Sequence, residues 1–143
     1  MNRLVVDASV AAKWFPPLDQ EPLASEALAL LNRWVRGEVE LVAPDLIWAE
    51  VANVLWKSVR QNRCSLSEAE AALAAMLEQN LPTVPAPSLI DRAFHIAVLY
   101  GRTAYDSLYV ALAVANNSEL VTADERLASA LGGHLPVKWL GAV

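Results

Sequence analysis

The sequence predicts an α/β fold, a three-layer α/β/α sandwich around a mostly parallel sheet. Three observations predict it. Short apolar runs bounded by breakers alternate with longer stretches of helical periodicity. The first run, Leu4-Val5-Val6, is apolar without alternation, as in a strand covered on both faces. Some strand candidates are separated by two helical stretches, which is enough chain for the right-handed crossovers of parallel pairing.

The elements follow in order. Arg3 to Ser9 is a strand that ends in an acid, Asp7, and turns through small residues into a short helix over Ala8 to Phe15. Pro16-Pro17 breaks that helix, and Leu18 to Glu21 reads as a polar loop. Pro22 suits a helix start, after which Leu23, Ala27, Leu30, Leu31 and Trp34 recur at helical spacing until Gly37. Glu38 to Ala43 alternates polar and apolar as a second strand. Asp45 to Asn62 is a long helix with Leu46, Ile47, Val51, Val54 and Leu55 on its apolar face. Ser65 or Ser67 caps the next helix, with Glu68 and Glu70 in its first turn.

Leu81 to Pro85 is a short extended piece, a candidate third strand. A helix runs from Pro87 to Tyr100 and stops at Gly101. Ala104 to Asn116 is apolar nearly all round and predicts a buried helix. Glu119-Leu120-Val121-Thr122 is a strand, Asp124 to Leu131 a short helix, Gly132-Gly133 a turn, and Val137 to Leu140 a last strand. The 143 residues, 55% of them hydrophobic, fit a single domain over residues 1–143 with a sizeable core. No apolar run approaches the ~20 residues of a membrane span. The start lacks the features of a secretory signal, so a soluble cytoplasmic protein is expected. The single cysteine, Cys64, excludes an internal disulfide framework and a multi-cysteine zinc site, and a structural role is expected for it.

A net charge of −5 argues against a generic nucleic-acid-coating surface, which is usually basic. It does not exclude a nucleic-acid enzyme, because clustered carboxylates can hold a divalent cation that supplies positive charge locally. Four acids are candidates for such a cluster. Asp7 and Asp124 stand at the carboxyl ends of strands, where ligand sites of open α/β sheets collect. Glu50 lies in the apolar helix start Trp48-Ala49-Glu50-Val51-Ala52, and Asp106 near the start of the buried helix. Each has an ordinary reading as a capping or first-turn acid. Together they are harder to dismiss. Unit charges ~4 Å apart repel by about 1 kcal/mol in water and about 4 kcal/mol at an effective dielectric of 20. A cluster therefore calls for a cation, and hard oxygen donors suit Mg²⁺ or Mn²⁺.

At roughly 100° per residue, Glu50, Asn53, Lys57 and either Arg60 or Gln61 share one helix face. An acid, an amide and cations in a row could track a phosphate backbone; an ordinary solvated face is the alternative for Lys57 and Arg60. Arg102 could contact phosphate or a neighbouring acid. Ser9 and Thr122 put hydroxyls beside acids at the sheet rim, to support the site or to cap helices. His95 and His134 have no second ligand at metal spacing, and the five tryptophans read as core. There is no Gly-rich phosphate loop, nucleophile elbow or Cys–His pair.

These residues resemble a known family. Val6-Asp7-Ala8-Ser9-Val10-Ala11-Ala12-Lys13-Trp14-Phe15 is similar to the opening of PIN-domain ribonucleases of the VapC toxin type. Pro44-Asp45-Leu46 through Glu50-Val51-Ala52-Asn53-Val54-Leu55 resembles their second motif, Tyr105-Asp106-Ser107-Leu108-Tyr109-Val110-Ala111-Leu112-Ala113 the third, and Leu120-Val121-Thr122-Ala123-Asp124-Glu125-Arg126-Leu127 the fourth. The match spans nearly the whole chain in order. It implies a PIN fold and a metal-dependent endoribonuclease, the toxin of a toxin–antitoxin pair. Asp7, Glu50, Asp106 and Asp124 would bind Mg²⁺ or Mn²⁺ directly or through water, supported by Thr122 and Asn53. The implied partners are an RNA substrate, a cognate antitoxin protein that often inserts a basic side chain into the acidic site, and a second copy in a homodimer. Pro16-Pro17 departs slightly from the family's local pattern without touching the acids. Two rivals remain: an inactive PIN-like binding or regulatory module, and a receiver-type phosphorylated domain. The second lacks its usual adjacent pair of acids, since Val5 and Val6 precede Asp7.

Overall fold

A computed structural model describes residues 2–143. Five parallel strands form one sheet in the order β3-β2-β1-β4-β5. They are β1 (Asn2–Val6), β2 (Val39–Pro44), β3 (Thr83–Val84), β4 (Glu119–Thr122) and β5 (Val137–Trp139). The helices are α1 (Ala8–Ala11), α2 (Ala24–Val35), α3 (Ile47–Arg60), α4 (Leu66–Glu78), α5 (Ile90–Tyr100), α6 (Ala104–Ala115) and α7 (Glu125–Leu131). The α/β sandwich is as the sequence predicts.

The apolar runs explain which strands are central. Val5, Val6, Leu120 and Val121 are all fully buried, and these residues pair β1 with β4 at the middle of the sheet. α6 lies across β1, β2 and β4 with α5 packed outside it. Every residue of α6 from Ser107 to Ala113 is buried, which accounts for a helix without a polar face. α1 packs on β4 and against α2 and α3, α2 packs on β2, and α4 packs on α3. Gly101 ends α5 at φ +68°, a conformation that costs a glycine little. Among the described residues, no helix is long and apolar enough to cross a membrane.

The order in which strands are added to this sheet reverses at β1. The first crossovers run outward through β2 to β3, and the later ones return to β4 and continue to β5. The carboxyl ends of β1 and β4 therefore flank a topological switch point, where the loops diverge and leave a crevice. Asp7 follows β1 directly and Asp124 lies two residues beyond β4.

Several local expectations are corrected. Leu18 to Glu21 is not a polar loop: Leu18–Gln20 forms a 3₁₀ turn and Leu18 is buried in the core. Burying a leucine outweighs the polar neighbours on either side of it. α2 starts at Ala24 rather than at Pro22, because Leu23 adopts φ 67° and interrupts the helix. α3 starts at Ile47, two residues after Asp45, whose carboxylate accepts the Ala86 N–H at 3.0 Å. Ser65, not Ser67, caps α4, in a reciprocal capping box with Glu68. Trp14 is core and donates to the Ala27 carbonyl at 3.1 Å. Trp34 packs partly buried against that core, as do Trp48 and Cys64. Trp56 is 53% exposed on α3 and is not core.

Candidate functional site

The four acids reach one cavity by four different routes. Asp7 and Asp124 are N-cap residues of α1 and α7. Asp7 Oδ1 accepts the N–H groups of Ser9 and Val10 at 3.1 and 3.3 Å. Asp124 Oδ1 accepts those of Arg126 and Leu127 at 3.0 and 3.2 Å. The capping reading is therefore correct for both, yet it uses one oxygen of each carboxylate; Oδ2 takes none of these bonds. Asp106 sits in the first turn of α6, whose N-cap is Thr103. Glu50 sits in the first turn of α3. First-turn positions favour acids through the helix dipole, so all four are locally well placed before any ligand is considered.

Hydroxyls tie the rim together. Ser9 Oγ donates to Asp7 Oδ1, accepts the Ala123 N–H at 2.9 Å and lies 3.4 Å from Thr122 Oγ1. Thr122, fully buried, accepts the Asp124 N–H at 3.1 Å. Ser9 and Thr122 thus lock the end of β1 to the end of β4. The resulting cavity holds about 220 Å³ and is lined by Asp7, Ser9, Glu50, Asn53, Lys57, Asp106, Tyr109 and Asp124, with Ala8, Val54 and Leu127 as its apolar parts.

The charge state follows from burial. Asp7, only 9% exposed, is pushed up to about 6, chiefly by desolvation; bonds from Ser9, Thr122 and Val10 oppose the rise, and the Glu50 charge adds to it. Glu50 is raised by desolvation, partly offset by the Tyr109 hydroxyl, with Asp106 repelling. Asp106 is raised by desolvation, with Arg102 opposing and Asp124 adding. The cavity is a run of like charges that outnumber the nearby cations, Lys57 in its lining and Arg102 beside Asp106. Among the described residues, none of the four acids forms a salt bridge.

Asn53 and Lys57 join the cavity as the helical spacing predicts. Arg60 does not. Its guanidinium lies over the Trp56 ring, 5.3 Å from the centroid, on a part of α3 away from the acids, where the aromatic face attracts it. Arg102 is close enough to steady Asp106, and its Nε is buried without a hydrogen-bond partner. Tyr109 was not among the residues the sequence singled out. Its signal was present, since it follows Asp106 by three residues and so shares its face of α6, but an aromatic in an apolar helix reads as core.

The donors are all oxygens, which is the chemistry of a hard cation. Among the described residues, no three acids come close enough to grip one bare ion together. Mg²⁺ usually keeps several waters and takes one or two protein carboxylates. Spaced acids around a cavity of this size fit that habit.

Comparison with known proteins supplies the context. The PIN domain family model matches residues 4–131. Ribonuclease VapC3 of Pyrobaculum aerophilum is 34% identical over 128 residues, covering 88% of this chain and 92% of the relative. Ribonuclease VapC1 of Mycobacterium tuberculosis is 35% identical over 142 residues, covering 96% and 98%. The chain belongs to the PIN-domain family, in its VapC branch. Solved structures share the fold. PAE2754 from Pyrobaculum aerophilum superposes with a TM-score of 0.69 at 24% identity, covering 99% of this chain and 85% of that one. VapBC2 from Rickettsia felis, solved bound to a DNA fragment from its promoter, has a TM-score of 0.62 at 14% identity, covering 96% and 98%.

Proposed function

We propose that this protein is a metal-dependent endoribonuclease, the toxin of a toxin–antitoxin pair. The observation that carries the reading is the convergence of Asp7, Glu50, Asp106 and Asp124 on one cavity, none of them in a salt bridge among the described residues. The names of the curated relatives, both ribonucleases, support it. Asp7, Asp106 and Asp124 would hold Mg²⁺ or Mn²⁺ directly or through water, and Glu50 would complete the set through a bound water. The ion supplies positive charge to phosphoryl oxygens and acidifies water, the two needs of phosphodiester hydrolysis.

The remaining steps belong to the chain. Glu50, half-buried and raised in pKa, would orient and take a proton from the attacking water, since a base works best with a pKa near the working pH. Lys57 lines the cavity without a salt bridge among the described residues, so it is available to a phosphate next to the scissile one. Asn53, between Glu50 and Lys57 on the same face, would donate to the phosphate or its sugar. Arg102 would limit the charge on Asp106 rather than reach RNA. Ser9 and Thr122 would keep the two capping aspartates in register.

The acidic cavity also suits a basic side chain from a protein inhibitor, consistent with the cognate antitoxin that the resemblance implies. A homodimer and a cytoplasmic location belong to the same reading. An inactive binding module is not favoured, because all four acids line the cavity. The test is cleavage of a structured RNA by purified protein with Mn²⁺, with a chelator, and in Asp106→Asn. Mn²⁺-dependent cutting that falls by on the order of 10²–10³-fold in the variant is expected, the range for losing one preorganised electrostatic contact. Equal cutting by the variant, or cutting in chelator, overturns the assignment.

A further inference from the structure

Tyr109 is 2% exposed, and the apolar surroundings that hold its ring would hold a phenylalanine as well. The hydroxyl is the unexplained atom. It is buried and has no partner in strict hydrogen-bond geometry, an arrangement that costs stability unless something is gained. Tyr109 lines the acid cavity together with Glu50, Asp7 and Asp106. A tyrosine hydroxyl is a neutral donor at neutral pH.

Glu50 is the acid that needs one. Asp7 and Asp124 are fixed by backbone N–H groups. Glu50 has a longer side chain and no salt bridge among the described residues. Tyr109 lines the same cavity and carries the buried hydroxyl that lacks a partner among the described residues. A neutral O–H can pin one carboxylate oxygen without cancelling the negative charge, which a lysine or arginine in the same place would do. We propose that Tyr109 is a positioning residue whose hydroxyl donates to the Glu50 carboxylate and fixes it against the cavity. This rests on the metal-site reading above.

The experiment is a double-mutant cycle on the full chain, read by Mn²⁺ binding in a calorimeter. Tyr109→Phe, Glu50→Gln and the pair are compared with wild type, and each variant's melting temperature is recorded without metal. The expected result is a Mn²⁺ dissociation constant raised by about 10-fold in Tyr109→Phe, the range for losing a partner that orients a metal-site ligand. No further rise should follow when Tyr109→Phe is added to Glu50→Gln, because coupled residues are not additive. Cleavage should show the same split, with kcat lowered and KM for RNA unchanged. An unchanged dissociation constant in Tyr109→Phe overturns the proposal while leaving the site reading intact. So does an equal rise in both backgrounds, which would place the effect on another acid. A lower melting temperature with unchanged affinity reduces Tyr109 to core packing. No Mn²⁺ binding by wild type overturns the metal-site reading itself.

Discussion

The two ends of the sheet handle charge in opposite ways. At the amino end, opposite charges are paired on the surface. Arg3 meets Glu40 at 2.9 Å across the β1–β2 register, and Arg36 meets Glu38 at 2.9 Å just before β2. Both members of each pair are about half exposed or more, so the pairs contribute little to stability. At the carboxyl end, four acids surround one cavity and, among the described residues, none forms a salt bridge. The same chain that pairs solvated charges leaves the ones that are expensive to bury in excess over the cations near them. The net charge of −5 says nothing of this; its distribution does. An unpaired charge in a partly buried site destabilises the fold, and its presence implies a ligand that repays it.

The contrast can be broken at its most buried point. Burial raises Asp7 from 3.8 to about 6, so the metal-free native state holds its proton more tightly than the unfolded chain does. That contribution to stability is fully present below pH 3.8 and is lost as pH rises through about 6. The difference is up to about 3 kcal/mol. Asp7→Asn removes the charge and keeps a good N-cap. Above pH 6 the metal-free variant should therefore unfold at higher denaturant than wild type while failing to cut RNA. A less stable variant at that pH would mean that the buried charge costs nothing.

Supplying the missing cation sharpens the comparison from the other side. At a hundredfold excess over its dissociation constant, Mn²⁺ should stabilise the wild type by about 2.7 kcal/mol, a rise of roughly 5–10 °C in a chain of this size. Asp106→Asn should show much less, measured by thermal melt with and without metal. The smallest effect belongs to the amino end. Arg3→Ala should change stability by at most about 0.5 kcal/mol and leave cleavage untouched, as expected of an exposed pair. A large loss there would mean that the two ends are coupled through the sheet.

Most of the fold was legible because local signals agreed with the tertiary outcome. Unalternating valines marked the central strands, and proline, glycine and capping serine marked the ends of elements. The four acids were legible because capping and first-turn roles explain each singly but not their gathering at strand ends and at the starts of apolar helices. What escaped was set by neighbours distant in sequence. Leu18 is core only because α2 and the 3₁₀ turn Ala12–Trp14 close over it. Arg60 shares a helix face with Lys57 by spacing, but Trp56 on the same helix turns it aside. Tyr109 looked like one more apolar residue because the group that gives its hydroxyl meaning, Glu50, belongs to another helix.

The insertion of β4 beside β1 also sets the order in which function can appear. A ribosome delivers the chain from its amino end. Asp7 and Glu50 emerge early, with β1 showing an unpaired edge towards the place β4 will fill. Asp106 and Asp124 arrive only with the last elements, and the hydroxyl of Thr122, which locks the two strand ends together, comes with them. The cavity is therefore closed only once β4 and the residues that follow it have been made. A copy cut short before Asp106 carries half the acids and no enclosed site, so an enzyme that attacks RNA would be harmless until that second half of its site is in place.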